Sequence, residues 1–407
     1  MLHTAEPLAT FDLLTFDLRP LTLLPPVPDS LTATQAYLIL NALPDIGPVT
    51  TNRLLEAFGG DPRAIFDAGP RALEQVKGVG AKISGNIAGW RTHFDLDREE
   101  TRMALSGVRF LPHDDPGYPA LLREIPSPPI GLYQKGRYAF DRPAVAIVGS
   151  RRTTLYGQAV ARKLGGELAR LGFCVVSGLA RGIDSAAHEG ALQAGGATVG
   201  VLGTGIDIIY PPENLDLYRR IENEGGALCS EFPFTRRADR QSFAMRNRIV
   251  AGMCSAIVVV ESDVSGGSMI TARFAGEQGR LVFAVPGRID QASSAGCHQL
   301  IRDGATLLTC VDDILSEINY LDGLRPQPIP EKPDAATPGA TRDRPRDGNL
   351  TDDEQRILAC FAGGAMLGVD ALVAQTGLPA HQISAALMML ELKRTIARHA
   401  DGTFEAR

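Results

Sequence analysis

Between residues 145 and 285 the chain repeats one pattern: a short apolar run, a turn rich in glycine, then a helix-length stretch of mixed polarity. The apolar runs cover 145–149, 173–177, 198–203, 227–232, 256–261 and 281–285. Several are β-branched and lack the apolar–polar alternation of a half-exposed strand, which predicts strands covered on both faces. Helix-length segments between most of them predict parallel pairing, and so an α/β fold with a Rossmann-like parallel sheet core. This core is assigned to residues 108–322, with the segment 108–141, rich in proline and turn residues, as its lead-in.

The flanks read differently. Residues 1–30 carry several prolines and no sustained period, and are expected to form a mobile tail. Residues 31–107 pattern as short amphipathic helices separated by Gly and Pro, an N-terminal helical (SAM/helix-hairpin-helix-like) domain. Two turns, Leu43-Pro44-Asp45-Ile46-Gly47-Pro48 and Val76-Lys77-Gly78-Val79-Gly80, each precede a helix, expected at 52–58 and 81–90. Such hairpins can present helix N-terminal amides to a DNA phosphate, although glycine there equally serves to let two helices pack closely. Residues 323–349 are rich in proline and charge, poor in apolar residues, and read as a linker.

Past the linker, residues 350–407 predict a C-terminal winged helix. Thr351 and Glu354 stand at capping-box spacing, with helices expected at 352–361, 369–375 and 380–393 and a wing from 396–398 and 403–404. Its third helix is apolar, with Lys393 and Arg394 only at its end, so a protein contact is as well supported as a DNA contact.

Length, 407 residues, agrees with several domains. The net charge of −6 argues against a nucleic-acid ligand, but Arg236, Arg237, Arg240, Arg246 and Arg248 cluster against Asp239 alone, and binding follows the local field. Six scattered cysteines without a Cys-x-x-Cys pair suit a reducing compartment and argue against structural zinc. With no signal-like N-terminus and no apolar run of spanning length, the expectation is a cytoplasmic protein with no membrane partner.

In an open parallel sheet, ligands bind beyond the carboxyl ends of the strands. Four turns fall at that edge: Gly149-Ser150-Arg151-Arg152-Thr153, the run from Ser177-Gly178 to Arg181-Gly182-Ile183-Asp184, Gly203-Thr204-Gly205, and Ser265-Gly266-Gly267-Ser268. Glycine lets a phosphate approach the backbone, helix N-termini offer unpaired amides, and arginine adds bidentate donors. Any one such glycine is usually a tight turn, but four loops with arginines on two of them favour a phosphate-bearing ligand. Neither Gly-x-Gly-x-x-Gly nor a Walker-type motif is present, and no acidic residue ends the second strand, so neither a dinucleotide nor ATP is expected, and no cofactor or metal. His188 has no nucleophile at telling spacing and reads as a packing or capping residue. Phe243, beside Arg246, Asn247 and Arg248, suits bases stacking on a ring with guanidinium groups on the backbone, unless Phe243 belongs to the core.

The motifs Val-Ala-Ile-Val-Gly-Ser-Arg at 145–151, Ser-Gly-Leu-Ala-Arg-Gly-Ile-Asp at 177–184, Arg-Asn-Arg-Ile at 246–249, Ser-Gly-Gly-Ser at 265–268, Ala-Val-Pro-Gly at 284–287 and Gly-Cys-His-Gln-Leu-Ile at 296–301 resemble, in this order, the DNA-processing protein A family (DprA, also called Smf). The resemblance implies a non-enzymatic, cytoplasmic protein that binds single-stranded DNA, protects it, and loads a RecA-type recombinase onto it in natural transformation. It also implies a homodimer formed through the Rossmann-like domain. By motif, Arg151 matches a DNA-contacting arginine, Arg181 stands where many members have a DNA-contacting lysine, and 243–248 matches a segment of aromatic and arginine contacts. The candidate DNA-binding set is therefore Gly149, Ser150, Arg151, Arg152, Arg181, Phe243, Arg246, Asn247, Arg248, Gly266, Gly267 and Ser268. Arg151→Ala and Arg246→Ala are each expected to weaken binding with the fold unchanged. Two rivals stay open: a nucleotide-binding enzyme such as a phosphoribohydrolase, using Arg273 and Glu277, and a protein adaptor acting through the winged helix.

Overall fold

The computed structural model describes residues 30–318, 350–361, 365–399 and 401–406. The expected tail up to residue 29 and the linker over 323–349 lie outside the described residues. Six helices open the described chain: Ala33–Ala42, Pro48–Ala57, Pro62–Asp67, Pro70–Leu73, Ala81–Ala88 and Leu96–Ser106. Thr32 and Gln35 close a capping box on the first. The second starts four residues earlier than the pattern predicts, because Pro48 at its first turn has no N–H to leave unsatisfied. Leu38, Leu54, Ile65, Leu73 and Ile87 bury together the apolar stripes of helices too short to persist alone.

Nine strands form one sheet: β1 (Val108–Pro112), β2 (Gly131–Gly136), β3 (Ala144–Val148), β4 (Cys174–Ser177), β5 (Thr198–Val201), β6 (Ala227–Ser230), β7 (Ala256–Val259), β8 (Leu281–Ala284) and β9 (Thr306–Leu307). Their order is β1-β2-β6-β5-β4-β3-β7-β8-β9. From β6 to β9 every pairing is parallel, as the alternating pattern predicts. The lead-in segment, rich in proline and turn residues, belongs to the same sheet. It folds into an antiparallel hairpin that extends the sheet past β6, with Phe110 opposite Tyr133 and their rings 5.0 Å apart.

The sheet is buried on both faces. Ala144, Ala146 and Val148 of β3 pack into one core with Ile249, Val250 and Ala272, while Val145 and Ile147 pack into the other with Leu164, Leu168 and Ile183. That is why the strands read as continuous apolar runs. Because β3 pairs with β4 on one side and β7 on the other, the chain winds both ways from β3. The loops after β3 and β7 therefore part and leave a crevice at this switch point.

The winged helix comprises helices Asp352–Cys360, Val369–Thr376 and Ala380–Leu392 and the antiparallel pair β10 (Ile396–Arg398) and β11 (Phe404–Ala406). Thr351 and Glu354 form the expected capping box. Ile357, Phe361, Leu372, Leu387 and Phe404 share a core of their own. Met388, Met389 and Leu392 leave the third helix with an exposed apolar face. Among the described residues, no helix is long and apolar enough to cross a membrane.

Candidate nucleic-acid interface

A crevice of about 630 Å³ opens at the carboxyl ends of β3, β4 and β7. Its walls are the loop after β3 (Gly149 to Arg152), Gly178, Ala180 and Asp184 after β4, Gly266 to Ser268 after β7, and the helix Arg240–Gly252. Glycine is required where large side chains cross it. A Cβ on Gly178 would lie 2.7 Å from the Arg246 guanidinium, and one on Gly203 would lie 2.7 Å from the Phe243 ring.

Of the candidate residues, ten line this crevice: Gly149, Ser150, Arg151, Arg152, Phe243, Arg246, Asn247, Gly266, Gly267 and Ser268. Arg151 and Arg152 are exposed. Phe243 is half-buried, with the Arg151 guanidinium 5.3 Å and the Arg246 guanidinium 5.9 Å from its ring centre. Arg181 lies beside the crevice with Arg151 and Phe243, exposed and paired with Glu213 at 2.5 Å. Asn247 bridges two walls, accepting from Arg246 Nε at 3.1 Å and donating to the Gly267 carbonyl at 3.3 Å.

Two arginines depart from expectation. Arg246 is 4 % exposed. Its Nη1 donates to the carbonyl oxygens of Gly178, at 2.6 Å, and of Val201, and it faces the buried Asp184. Burial pulls its guanidinium down to about 10, so it remains charged at neutral pH. It sets the local field from below and is part of the core. Arg248 is not in the crevice. It forms a buried ion pair with Glu231, whose carboxyl is pushed up by the same burial. With Arg236 paired to Asp239 at 2.6 Å, the exposed basic patch on this segment reduces to Arg237 and Arg240, which form no ion pair among the described residues.

The backbone amides are also less available than glycine-rich turns imply, because acidic side chains already occupy several of them. Glu261 accepts from Thr153 Oγ1 (2.5 Å), Thr154 Oγ1 (2.6 Å) and Thr154 N (3.0 Å). Glu405 of the wing accepts from Leu155 N at 2.7 Å, at the start of helix Leu155–Arg170. Asp184 accepts from the amides of Gly178 (3.1 Å) and Ala180 (3.3 Å), and Asp263 from that of Ser265 (2.7 Å). Among the described residues the Gly267 and Ser268 amides, opening helix Gly267–Glu277, have no acceptor outside it, and both residues line the crevice. Charge here therefore comes mainly from arginine, with one helix N-terminus in support. Sequence reading placed Arg240 in the basic cluster but not in the candidate set, and assigned no role to Asp184, Glu261 or Glu405. Asp184, four residues after Ala180, was legible as a turn-closing carboxylate; the other carboxylates act on loops distant in sequence.

Arg273 and Glu277, the pair that an enzymatic site would need, face each other at 3.6 Å on an exposed helix surface outside the crevice. His188 is buried, and its Nδ1 lies 2.7 Å from Thr198 Oγ1. That hydroxyl donates to the Val175 carbonyl, so it accepts from Nδ1–H, leaving Nε2 bare and without a hydrogen-bond partner. Burial, helped by Arg246, drops this imidazole from 6.5 to about 3. Between those values the unfolded chain binds the extra proton, so the stability contributed is complete above 6.5 and declines as pH falls toward 3. Acidification to about pH 5 is expected to cost about 2 kcal/mol through this residue. Asp184 and Glu231, raised by burial, act with the opposite sign. Urea denaturation of the native chain and of His188→Gln at both pH values isolates the imidazole, and an equal pH response in the two would overturn the assignment.

The family model for DNA recombination-mediator protein A matches residues 109–319, and that for the DprA winged helix domain matches residues 332–402. Protein Smf of Synechocystis sp. is 34 % identical over 403 residues, 92 % of this chain and 99 % of the relative. DNA processing protein DprA of Streptococcus pneumoniae is 43 % identical over 211 residues, 51 % of this chain and 73 % of the relative. The X-ray structure of the Streptococcus pneumoniae protein superposes with a TM-score of 0.61 at 32 % identity, covering 71 % of this chain and 98 % of that one. The sheet, the winged helix and these matches, which span most of the sequence, agree: the chain belongs to the DNA recombination-mediator protein A family.

Proposed function

We propose that the crevice between the β3 and β7 loops holds a single DNA strand, and that the protein hands this strand to a RecA-type recombinase in the cytoplasm, acting as a binding protein and not as a catalyst. The observation that carries the reading is the cluster of Phe243 with the Arg151 and Arg246 guanidinium groups at the crevice wall. A ring flanked by cations accepts an unpaired base and its phosphate together, which a duplex with stacked, paired bases cannot offer. The absence of an acidic residue where β4 ends, at Ser177 and Gly178, removes the usual ribose anchor of a nucleotide cofactor and favours a polymer. A homodimer built through the Rossmann-like domain would join two such crevices.

Fluorescence anisotropy with labelled oligo-dT against duplex of equal length tests the reading. The expected result is preference for the single strand, with log affinity falling against log salt at about 0.7 per phosphate neutralised. Equal affinity for duplex, or affinity indifferent to salt, overturns it.

A further inference from the structure

We infer that Tyr210 is a second base-stacking surface, continuing the one formed by Phe243. The two rings lie 5.3 Å apart with their planes 42° from each other. Tyr210 is 40 % exposed, one of few large apolar side chains presented to solvent beside the crevice, and its hydroxyl makes no hydrogen bond among the described residues. Its backbone is fixed, however. In the loop between β5 and helix Leu215–Asn223, Tyr218 Oη donates to the Ile206 carbonyl at 2.5 Å, Thr204 Oγ1 donates to the Ile208 carbonyl at 2.9 Å, and Asp207 accepts from Thr235 N at 2.8 Å. A ring held out on an anchored loop, with neither a core to fill nor a polar partner, is free to serve a ligand.

Its neighbours define that ligand. Tyr210 shares a recess with Arg151, Arg181, Phe243 and Arg246. The recess measures about 20 Å³, too small to swallow a nucleobase, so a base lies across the exposed rings and is not extruded into a pocket. With Arg151 and Arg181 in the same recess for phosphates, two successive bases of one strand would meet Phe243 and then Tyr210. Stacking of this kind is indifferent to base identity because every base has a π-face.

The inference rests on the crevice being a single-strand site, and one experiment separates the two claims. Affinity of the full chain is measured by anisotropy for oligo-dT and for an abasic oligonucleotide of the same length, in the native protein, Tyr210→Ala, Tyr210→Phe and Arg151→Ala. Tyr210→Ala is expected to weaken oligo-dT about tenfold or more and to leave the abasic strand unaffected, while Tyr210→Phe keeps native affinity for both. Arg151→Ala is expected to weaken both. An unchanged Arg151→Ala would sink the crevice reading. A weakened Arg151→Ala beside an unchanged Tyr210→Ala, or a Tyr210→Ala loss equal on the two strands, would sink the stacking role alone. Tyr210→Leu, which keeps bulk without a π-face, provides a check independent of truncation. The fluorescence of a 2-aminopurine in the bound strand should be quenched by the native protein and Tyr210→Phe but less so by Tyr210→Leu, and equal quenching by all three overturns the proposal.

Discussion

Arg246→Ala is expected to lower the free energy of unfolding by about 3–5 kcal/mol, the cost of removing one member from a buried charged network. The guanidinium is buried between the carboxyl ends of β4 and β5, where it satisfies the carbonyl oxygens of Gly178 and Val201 and the side chain of Asn247. It also acts on the buried Asp184, whose carboxyl burial pushes up and the Arg246 charge draws back. Alanine leaves two inward carbonyls without a donor and a carboxylate without its counter-charge. Arg246→Lys should recover only part of the loss, since a single ammonium cannot reproduce the planar fork that reaches three acceptors. Urea denaturation followed by far-ultraviolet circular dichroism reads both, and a native midpoint in Arg246→Ala would show that the network carries no stability. A fall in DNA affinity in this variant therefore reports the fold before it reports a phosphate contact, against the expectation that the change leaves the fold intact.

The helix that carries Arg246 shows why some of the site was legible and some was not. Phe243, Arg246 and Val250 stand at helical spacing, so Arg246 lies on the inward stripe, and its sequence neighbours carry the signal that it points into the protein. The burial of Arg248 had no such signal, because its partner Glu231 sits on the turn after β6 and meets it only through the fold. The parallel strands were readable for a related reason: burial on both faces makes each an uninterrupted apolar run. The β1–β2 hairpin was not, since Pro112, Gly131 and Gly136 mark its strand ends and residues 113–130 intervene with turns of their own. The turn glycines located the crevice correctly. They did not reveal that carboxylates from the segment after β7, the helix after β4 and the wing fill several of the amides those turns expose.

With several of those amides taken, Arg151, its guanidinium 5.3 Å from the Phe243 ring centre, is an exposed cation set against that ring, and Arg151→Glu is expected to weaken oligo-dT binding by about a hundredfold or more. One charge-assisted hydrogen bond is worth about 1.5–3 kcal/mol, and reversal adds repulsion of the phosphate to its loss. The fold should not respond, with unfolding free energy within about 0.5 kcal/mol of native. Arg151 is exposed and forms no ion pair among the described residues. The loop is held instead by Ser150 N donating to the Glu261 carbonyl at 2.7 Å and by the Glu261 carboxylate on Thr153 and Thr154. Arg181→Ala should cost less, because Glu213 already offsets that charge and removing the arginine frees a carboxylate in exchange. The slope of log affinity against log salt should also become shallower in Arg151→Glu, by about 0.7 for each phosphate the protein no longer neutralises. Anisotropy across a salt series reads affinity and slope together; native values of both would place the strand elsewhere on the molecule.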